Sequence, residues 1–325
     1  MHINLQCNDS GAYGCFLNIV KTKKLINELY KQSDLAKVID ASTNKKIDQL
    51  KFFEFISHNN IAIKVFLLNN NKQEEKNEIK QFKLLRKNLN IEKFTTYKTY
   101  KKSSCFYIKN LKFKIEDNIL NYIFIILQEP CQTDILTHIT TYKDFCKFDS
   151  DISEFFNIYH KFSVHKDIKI DNIVYCSKSN RYKVIDFGKS QELKKTNKHL
   201  MDDVPITPYF YSCSLAYNYN NNSDDFLIFF KNYLKKWKND GDWPVNYKIM
   251  KYVFDKYYIS TYKELQRKQV DVLTLMKKND DCLYANLLFQ IIYNINPNIL
   301  TDTTDEARKI HMRMDNLYLR KDKFI

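Results

Sequence analysis

The chain has 325 residues, with 52 Lys and Arg against 38 Asp and Glu and a formal net charge of +14. That length supports two modest domains or one two-lobed enzyme with a real core. Hydrophobic residues at 44% and aromatics at 15% exclude a disordered chain, and only four Gly and five Pro exclude a collagenous, linker-rich or turn-rich all-β protein.

The first twenty residues hold two short strand-like runs around a Gly-containing turn, Asp9 to Gly14. Residues 21–58 read as a polar, mostly helical insert, with Leu25, Ile26 and Leu29 at helical spacing. Ile61–Leu68 is an apolar run with one Lys, of strand length and strand composition. Residues 72–90 read as a charged amphipathic helix with Ile79, Phe82 and Leu85 on one face. Residues 104–115 and 121–127 read as strands, the second buried. Pro130 then breaks the pattern, and composition shifts from β-rich to helical there. A helix is expected over Phe145–Phe162. Two short strands, Ile173–Cys176 and Tyr182–Ile185, flank a polar turn. Apolar-periodic segments at 224–237, 246–258, 260–276 and 281–293 complete a helical second half.

Eight cysteines are scattered without a CxxC pair, and they read as small buried hydrophobes. The N-terminus lacks a basic and then apolar leader, and no apolar run approaches the roughly 20 residues of a membrane span. The expectation is a reduced, intracellular, soluble protein, cytoplasmic or nuclear, without a membrane span. The basic residues fall in short clusters such as Lys21–Lys24, Lys101–Lys102, Lys235–Lys236 and Arg320–Lys323. Such a surface favours acidic partners. Nucleic acid is a possible partner of it, but the clusters lack the aromatic interleaving of a dedicated nucleic-acid site.

Three separated segments fit one reaction. They are Ala62-Ile63-Lys64-Val65, Val164-His165-Lys166-Asp167-Ile168-Lys169-Ile170-Asp171-Asn172, and Val184-Ile185-Asp186-Phe187-Gly188. In-line phosphoryl transfer develops negative charge on the transferred group, so its catalysis is positioning and electrostatics. It needs a carboxylate at the attacking hydroxyl, carboxylate and amide oxygens for Mg²⁺, and a lysine on the nucleotide phosphates.

These residues resemble the eukaryotic-type protein kinases. HxDxKxxN is met by His165, Asp167, Lys169 and Asn172, and DFG by Asp186, Phe187 and Gly188. The resemblance implies an α+β, bilobal protein kinase-like fold. A small β-rich N-lobe spans 1–128 and includes the 21–58 insert, a hinge spans 129–134, and a larger helical C-lobe spans 135–325. It implies ATP and Mg²⁺ in the cleft between the lobes. Asp167 would be the catalytic base and Lys169 would contact the transferred phosphate. Asn172 and Asp186 would hold Mg²⁺. Ala62 and Lys64 would lie on the nucleotide, with Lys64 on its α/β-phosphates and Glu78 as the carboxylate partner of that lysine. Gly11 and Gly14 would belong to the phosphate-covering loop, where glycine lets backbone N–H groups approach phosphate. Backbone groups of Glu129 and Cys131 would meet the adenine.

Lys169 and Thr207-Pro208 resemble the serine/threonine class. Ser212-Cys213-Ser214 in place of APE, Asp224-Asp225 and Gly241-Asp242-Trp243-Pro244 resemble the casein kinase 1 and vaccinia-related kinase group. With the AT-rich coding bias in Asn, Lys, Ile and Tyr, the pattern looks like that of a kinase from a large DNA virus or a protist. The implied activity is γ-phosphoryl transfer to Ser/Thr of protein substrates. Departures are Asp9 at the first glycine position, a long interval from Gly14 to Lys64, Lys166 for the usual Arg, and the missing APE. Lys166 implies activity independent of phosphorylation in 189–206, since Lys cannot take a phosphate bidentately. The alternatives are a pseudokinase acting as a nucleotide- or partner-binding scaffold, and a small-molecule phosphotransferase.

Overall fold

The computed structural model describes residues 3–5, 9–11, 14–31, 36–66, 72–115, 118–193, 252, 256 and 272–319. The expectations placed on Thr207, Ser212–Ser214, Asp224-Asp225, Gly241–Pro244 and most of 189–206 lie outside these residues, as do the helices expected over 224–237, most of 246–258 and most of 260–276. The described chain is mixed α+β and divides into two compact units, 1–133 with 174–188, and 134–173 with 189–325. Val174–Gly188 belongs to the first unit.

The first unit is built on an eight-stranded sheet. Its strands are β1 (Ile3–Leu5), β2 (Asp9–Gly11), β3 (Gly14–Leu17), β4 (Lys37–Asp40), β5 (Lys45–Lys46), β6 (Ala62–Phe66), β7 (Cys105–Ile115) and β8 (Asn118–Gln128). The order is β2-β3-β6-β8-β7-β4-β5, with β1 parallel to β7 and the other pairings antiparallel. Alternation along the strands decides the two faces. Leu17, Val38, Ile63, Val65, Phe106, Ile108, Ile123, Ile125 and Leu127 fall on one face and are buried.

That face is covered by α1 (Ile19–Tyr30) and α2 (Gln49–His58), through Leu25, Ile26, Leu29, Phe52, Phe53 and Ile56. Asn18 caps α1 by accepting from Lys21 N–H, and Asp48 caps α2 by accepting from Lys51 N–H. Each fully buried Leu, Ile or Phe contributes about 1.5–3 kcal/mol relative to exposure. The 21–58 insert is thus a sheet-covering layer. It is less helical than its composition suggests, since β4 and β5 run between its helices.

The opposite face carries Lys64 and Tyr107 and meets α3 (Lys72–Asn88), where Glu75 accepts from the Tyr107 hydroxyl at 3.0 Å. The short helix α4 (Ile91–Phe94) follows. A hairpin of β10 (Ile173–Cys176) and β11 (Arg181–Val184) joins this unit through bridges Gln132–Tyr175 and Thr95–Val184.

The second unit contains α5 (Tyr142–Tyr159), β9 (Ser163–Val164), β12 (Gln191–Glu192), α6 (Val272–Ile295) and α7 (Asp305–Leu319). A Thr141/Asp144 capping box starts α5. Phe145, Phe148, Ile152, Phe155, Phe156 and Tyr159 form its buried stripe. Helix α6 is buried all round from Cys282 to Phe289, as a central helix must be. Asp149 of α5 takes Arg313 of α7 bidentately at 3.0 Å and accepts from the Tyr284 hydroxyl at 2.7 Å. Helix α7 was not expected from sequence. Among the described residues no helix is long and apolar enough to cross a membrane.

Candidate functional site

The first unit assembles a charged cluster around Lys64. Strand β6 has buried residues at every position except Lys64, which is half-buried. Its neighbours Ile63 and Val65 face the α1/α2 core, so Lys64 emerges on the α3 side with Ala62 and Phe66. Its Nζ lies 3.0 Å from Asp186 Oδ1 and 3.7 Å from Glu78 Oε1. Glu78 is the α3 carboxylate expected from sequence. Its side chain is only 2% exposed.

Tyr97 completes the cluster. Its hydroxyl donates to Glu78 Oε2 at 2.7 Å, and its ring stacks on Phe187 at 5.8 Å and meets Phe82 edge-on at 5.6 Å. Burial raises the Glu78 pKa, the nearby Lys64 charge opposes that rise, and Asp186 adds to it. Burial, with the Glu78 charge beside it, holds the Tyr97 hydroxyl well above its ordinary value, so Tyr97 is a donor throughout the physiological range.

Asp186 sits at φ 59°, a left-handed conformation unusual for a non-glycine residue and enriched at functional positions. That turn sends its carboxylate back towards Lys64. A Cβ on Gly188 would stand 3.4 Å from Asp186 Oδ1 and 3.8 Å from Glu78 Oε1, ordinary contact distances that place Gly188 against both carboxylates. The Gly188 carbonyl accepts from the Asn77 side chain of α3. Gly11 and Gly14 face each other across the β2–β3 hairpin, and β3 pairs with β6 so that Phe16 lies opposite Lys64.

Glu129 and Cys131 follow β8. The Glu129 N–H donates to Thr96 carbonyl at 2.6 Å, and its carboxylate accepts from Lys183 Nζ at 2.6 Å in an almost fully buried pair. Cys131 is bonded to Cys176 as a disulfide, with Cα atoms 4.5 Å apart. This corrects the expectation that these two cysteines are separate thiols in a wholly reduced chain. A residue pair opposed across two backbone strands brings sulfurs together whatever their distance in sequence. Among the described residues, Cys105, Cys146 and Cys282 are in no disulfide. Among the described residues, Glu129, Cys131 and Cys176 are also the three potential metal-ligand side chains that lie together, within 4.8 Å.

The second unit holds the other motif. After β9 the chain turns through Lys166 at φ 69°, and the backbone N–H groups of His165 and Lys166 donate to Asp280 at 2.6 and 2.8 Å. Asp280 is fully buried on α6 and also meets His160 Nε2 at 3.2 Å. Two charge-assisted bonds to consecutive amides fix the loop that presents Asp167. Asn172 Nδ2 donates to the Asp167 carbonyl at 2.8 Å and to its carboxylate at 3.0 Å. Lys169 Nζ stands 3.3 Å from Asp167 Oδ2. Lys166 Nζ donates to the Gln191 side chain at 3.2 Å.

Each unit therefore gathers its own expected residues, Lys64, Glu78 and Asp186 in one, and Asp167, Lys169 and Asn172 in the other. Sequence reasoning missed Tyr97, Lys183 and Asp280. Asp280 had a readable signal, an acidic pair at the head of the apolar run 281–293, where a charge is costly unless it is bonded. The oxygen donors of Asn172 and Asp186 are of the hard type that Mg²⁺ takes, whereas the disulfide sulfurs of Cys131 and Cys176 are not. No protein-family model matches the chain, and no curated protein matches it.

Proposed function

We propose that the chain is an ATP- and Mg²⁺-dependent serine/threonine protein kinase that transfers the γ-phosphoryl group to hydroxyls of protein substrates. The observation that carries this reading is the Lys64 ammonium set between Glu78 and Asp186, on a strand that pairs with the β2–β3 glycine hairpin. A lysine held by a buried carboxylate, on a strand beside one that begins with glycine, is suited to meet phosphate oxygens.

In this reading both sets of residues serve one nucleotide. Lys64 binds the α/β-phosphates while Glu78 and Tyr97 fix its position. Backbone groups of Glu129 and Cys131 meet the adenine; the Glu129 N–H is already committed to Thr96, which leaves its carbonyl and the Cys131 N–H for that role. Asn172 and Asp186 would hold Mg²⁺, which when bound screens the phosphate charge and orients the γ-phosphoryl group. Asp167 accepts the substrate hydroxyl proton as the new oxygen–phosphorus bond forms and the bond to the departing ADP breaks. Lys169 offsets charge on the transferred group.

The Lys166 side chain is engaged by Gln191, which supports a catalytic loop that needs no activating phosphate. Incubation with Mg·ATP and a mixture of generic protein substrates tests the proposal. Label on Ser/Thr supports it. Mg·ATP binding without transfer assigns the chain to the pseudokinases, and transfer only to a small acceptor makes it a small-molecule phosphotransferase.

A further inference from the structure

The Cys131–Cys176 bond occupies a particular place in the backbone. Gln132 and Tyr175 exchange both hydrogen bonds, N–H to carbonyl in each direction at 2.9 Å. They form a hydrogen-bonded antiparallel pair, so the adjacent pair, Cys131 opposite Cys176, is of the non-hydrogen-bonded kind. Such pairs have Cα atoms about 4.5 Å apart, and the observed separation is 4.5 Å. The two cysteines thus face each other because the backbone bridge and the β10–β11 hairpin place them there. Breaking the sulfur bond removes neither support, and the thiols stay opposed.

The two sulfurs differ in access. Cys176 is fully buried, whereas Cys131 is partly exposed on the segment after β8. An external reagent can therefore reach only one of them. The segment 134–173 leaves the first unit just after this bond and returns just before it, so the bond joins the points of exit and return.

We propose that Cys131–Cys176 is a site of reversible thiol–disulfide exchange, opened and closed by low-molecular-weight thiols and disulfides that react at Cys131. In opening, an external thiolate attacks Cys131 Sγ. The Cys131–Cys176 bond breaks, and Cys176 leaves as a thiolate and takes a proton. A second external thiolate attacks the external sulfur of the mixed disulfide, which releases Cys131 as a thiol and forms the external disulfide. Two thiols are oxidised and one protein disulfide is reduced. Closing is the reverse, with Cys176 as the resolving thiol. This inference stands apart from the kinase reading, since nothing in it involves nucleotide.

Differential alkylation tests it. The full chain is equilibrated in glutathione buffers from reducing to oxidising, approached from both ends, quenched in acid and alkylated. Peptides carrying Cys131 and Cys176 are followed by mass spectrometry, separately from the other cysteines, and far-UV circular dichroism is recorded on the same samples. The expected result is that both cysteines become labelled together as the buffer becomes reducing, that the two approaches coincide, and that the dichroism does not change. In Cys176→Ser, glutathione should be trapped on Cys131. In Cys131→Ser, adduct on Cys176 should be at least tenfold lower. The proposal is overturned if the bond resists native-state reduction, if its reduction unfolds the protein, if adduct forms preferentially on Cys176, or if added zinc at one equivalent blocks labelling of both reduced thiols.

Discussion

Replacing Lys183 with Met isolates the most deeply buried ion pair among the described residues of the first unit. Lys183 and Glu129 side chains are 1% and 6% exposed, and their charged atoms are 2.6 Å apart. Lys183 Nζ also donates to the Glu92 carbonyl at 2.6 Å. The substitution leaves a buried carboxylate without its partner and a backbone carbonyl without its donor. Removing one member of a buried pair costs about 3–5 kcal/mol, because the remaining charge stays desolvated. For a unit of this size that corresponds to a fall in melting temperature on the order of 10 °C. Changing both residues, Lys183→Met with Glu129→Met, removes the stranded charge and should restore all but about 1–2 kcal/mol.

Thermal and urea unfolding of the wild type, both single variants and the double variant provide the measurement. A Lys183→Met protein within about 0.5 kcal/mol of wild type, or a double variant no more stable than that single one, refutes the reasoning.

Asp280→Asn replaces a carboxylate that accepts two backbone N–H groups with an amide that turns a donor toward one of them. A loss of about 2–4 kcal/mol in stability is expected, with transfer activity down by more than about tenfold, measured by urea unfolding and initial rates. Tyr97→Phe removes the hydroxyl from Glu78 and keeps the ring on Phe187. It should lower kcat/KM for ATP by about tenfold, roughly 1.4 kcal/mol, with little change in far-UV circular dichroism. Glu78 has a folded-state pKa raised by burial. As pH falls through the window between that value and its ordinary one, Glu78 takes up a proton in the folded state and its ion pair with Lys64 is lost. Its contribution to stability rises in that window while nucleotide affinity falls. Titration of Mg·ATP affinity against pH should show this acid limb, and Glu78→Gln should flatten it.

The legibility of the sequence followed the range of the interactions. Lys64 was readable because strand β6 is an apolar run with one cation. Asp167, Lys169, Asn172, Asp186 and Gly188 were readable because each set lies within a few residues. Glu78 could be paired with Lys64 in advance because α3 directly follows β6 in the chain. What could not be read depends on distant contacts. Asp280 meets amides 115 and 114 positions away, and Lys183 meets Glu129 from 54 positions away. Cys131 and Cys176 are 45 apart, and eight cysteines allow some 105 complete pairings. Strand β4 was hidden because its four residues, Lys37–Asp40, put only two apolar side chains into a polar stretch, and their pairing with β7 supplied the rest. Helix α7 was hidden by its many charges, although Ala307, Ile310, Met314 and Leu317 keep a helical period.

The most direct test is transfer of labelled phosphate from the γ-position of ATP, in the presence of Mg²⁺, to a protein acceptor. Wild-type chain should yield phosphoserine or phosphothreonine. Asp167→Asn and Lys64→Met should each reduce the yield by at least about a hundredfold, a loss near 3 kcal/mol of transition-state stabilisation, while remaining folded. Equal labelling by wild type and Asp167→Asn, or no labelling by a wild-type protein that is folded and saturated with Mg·ATP, would contradict the assignment.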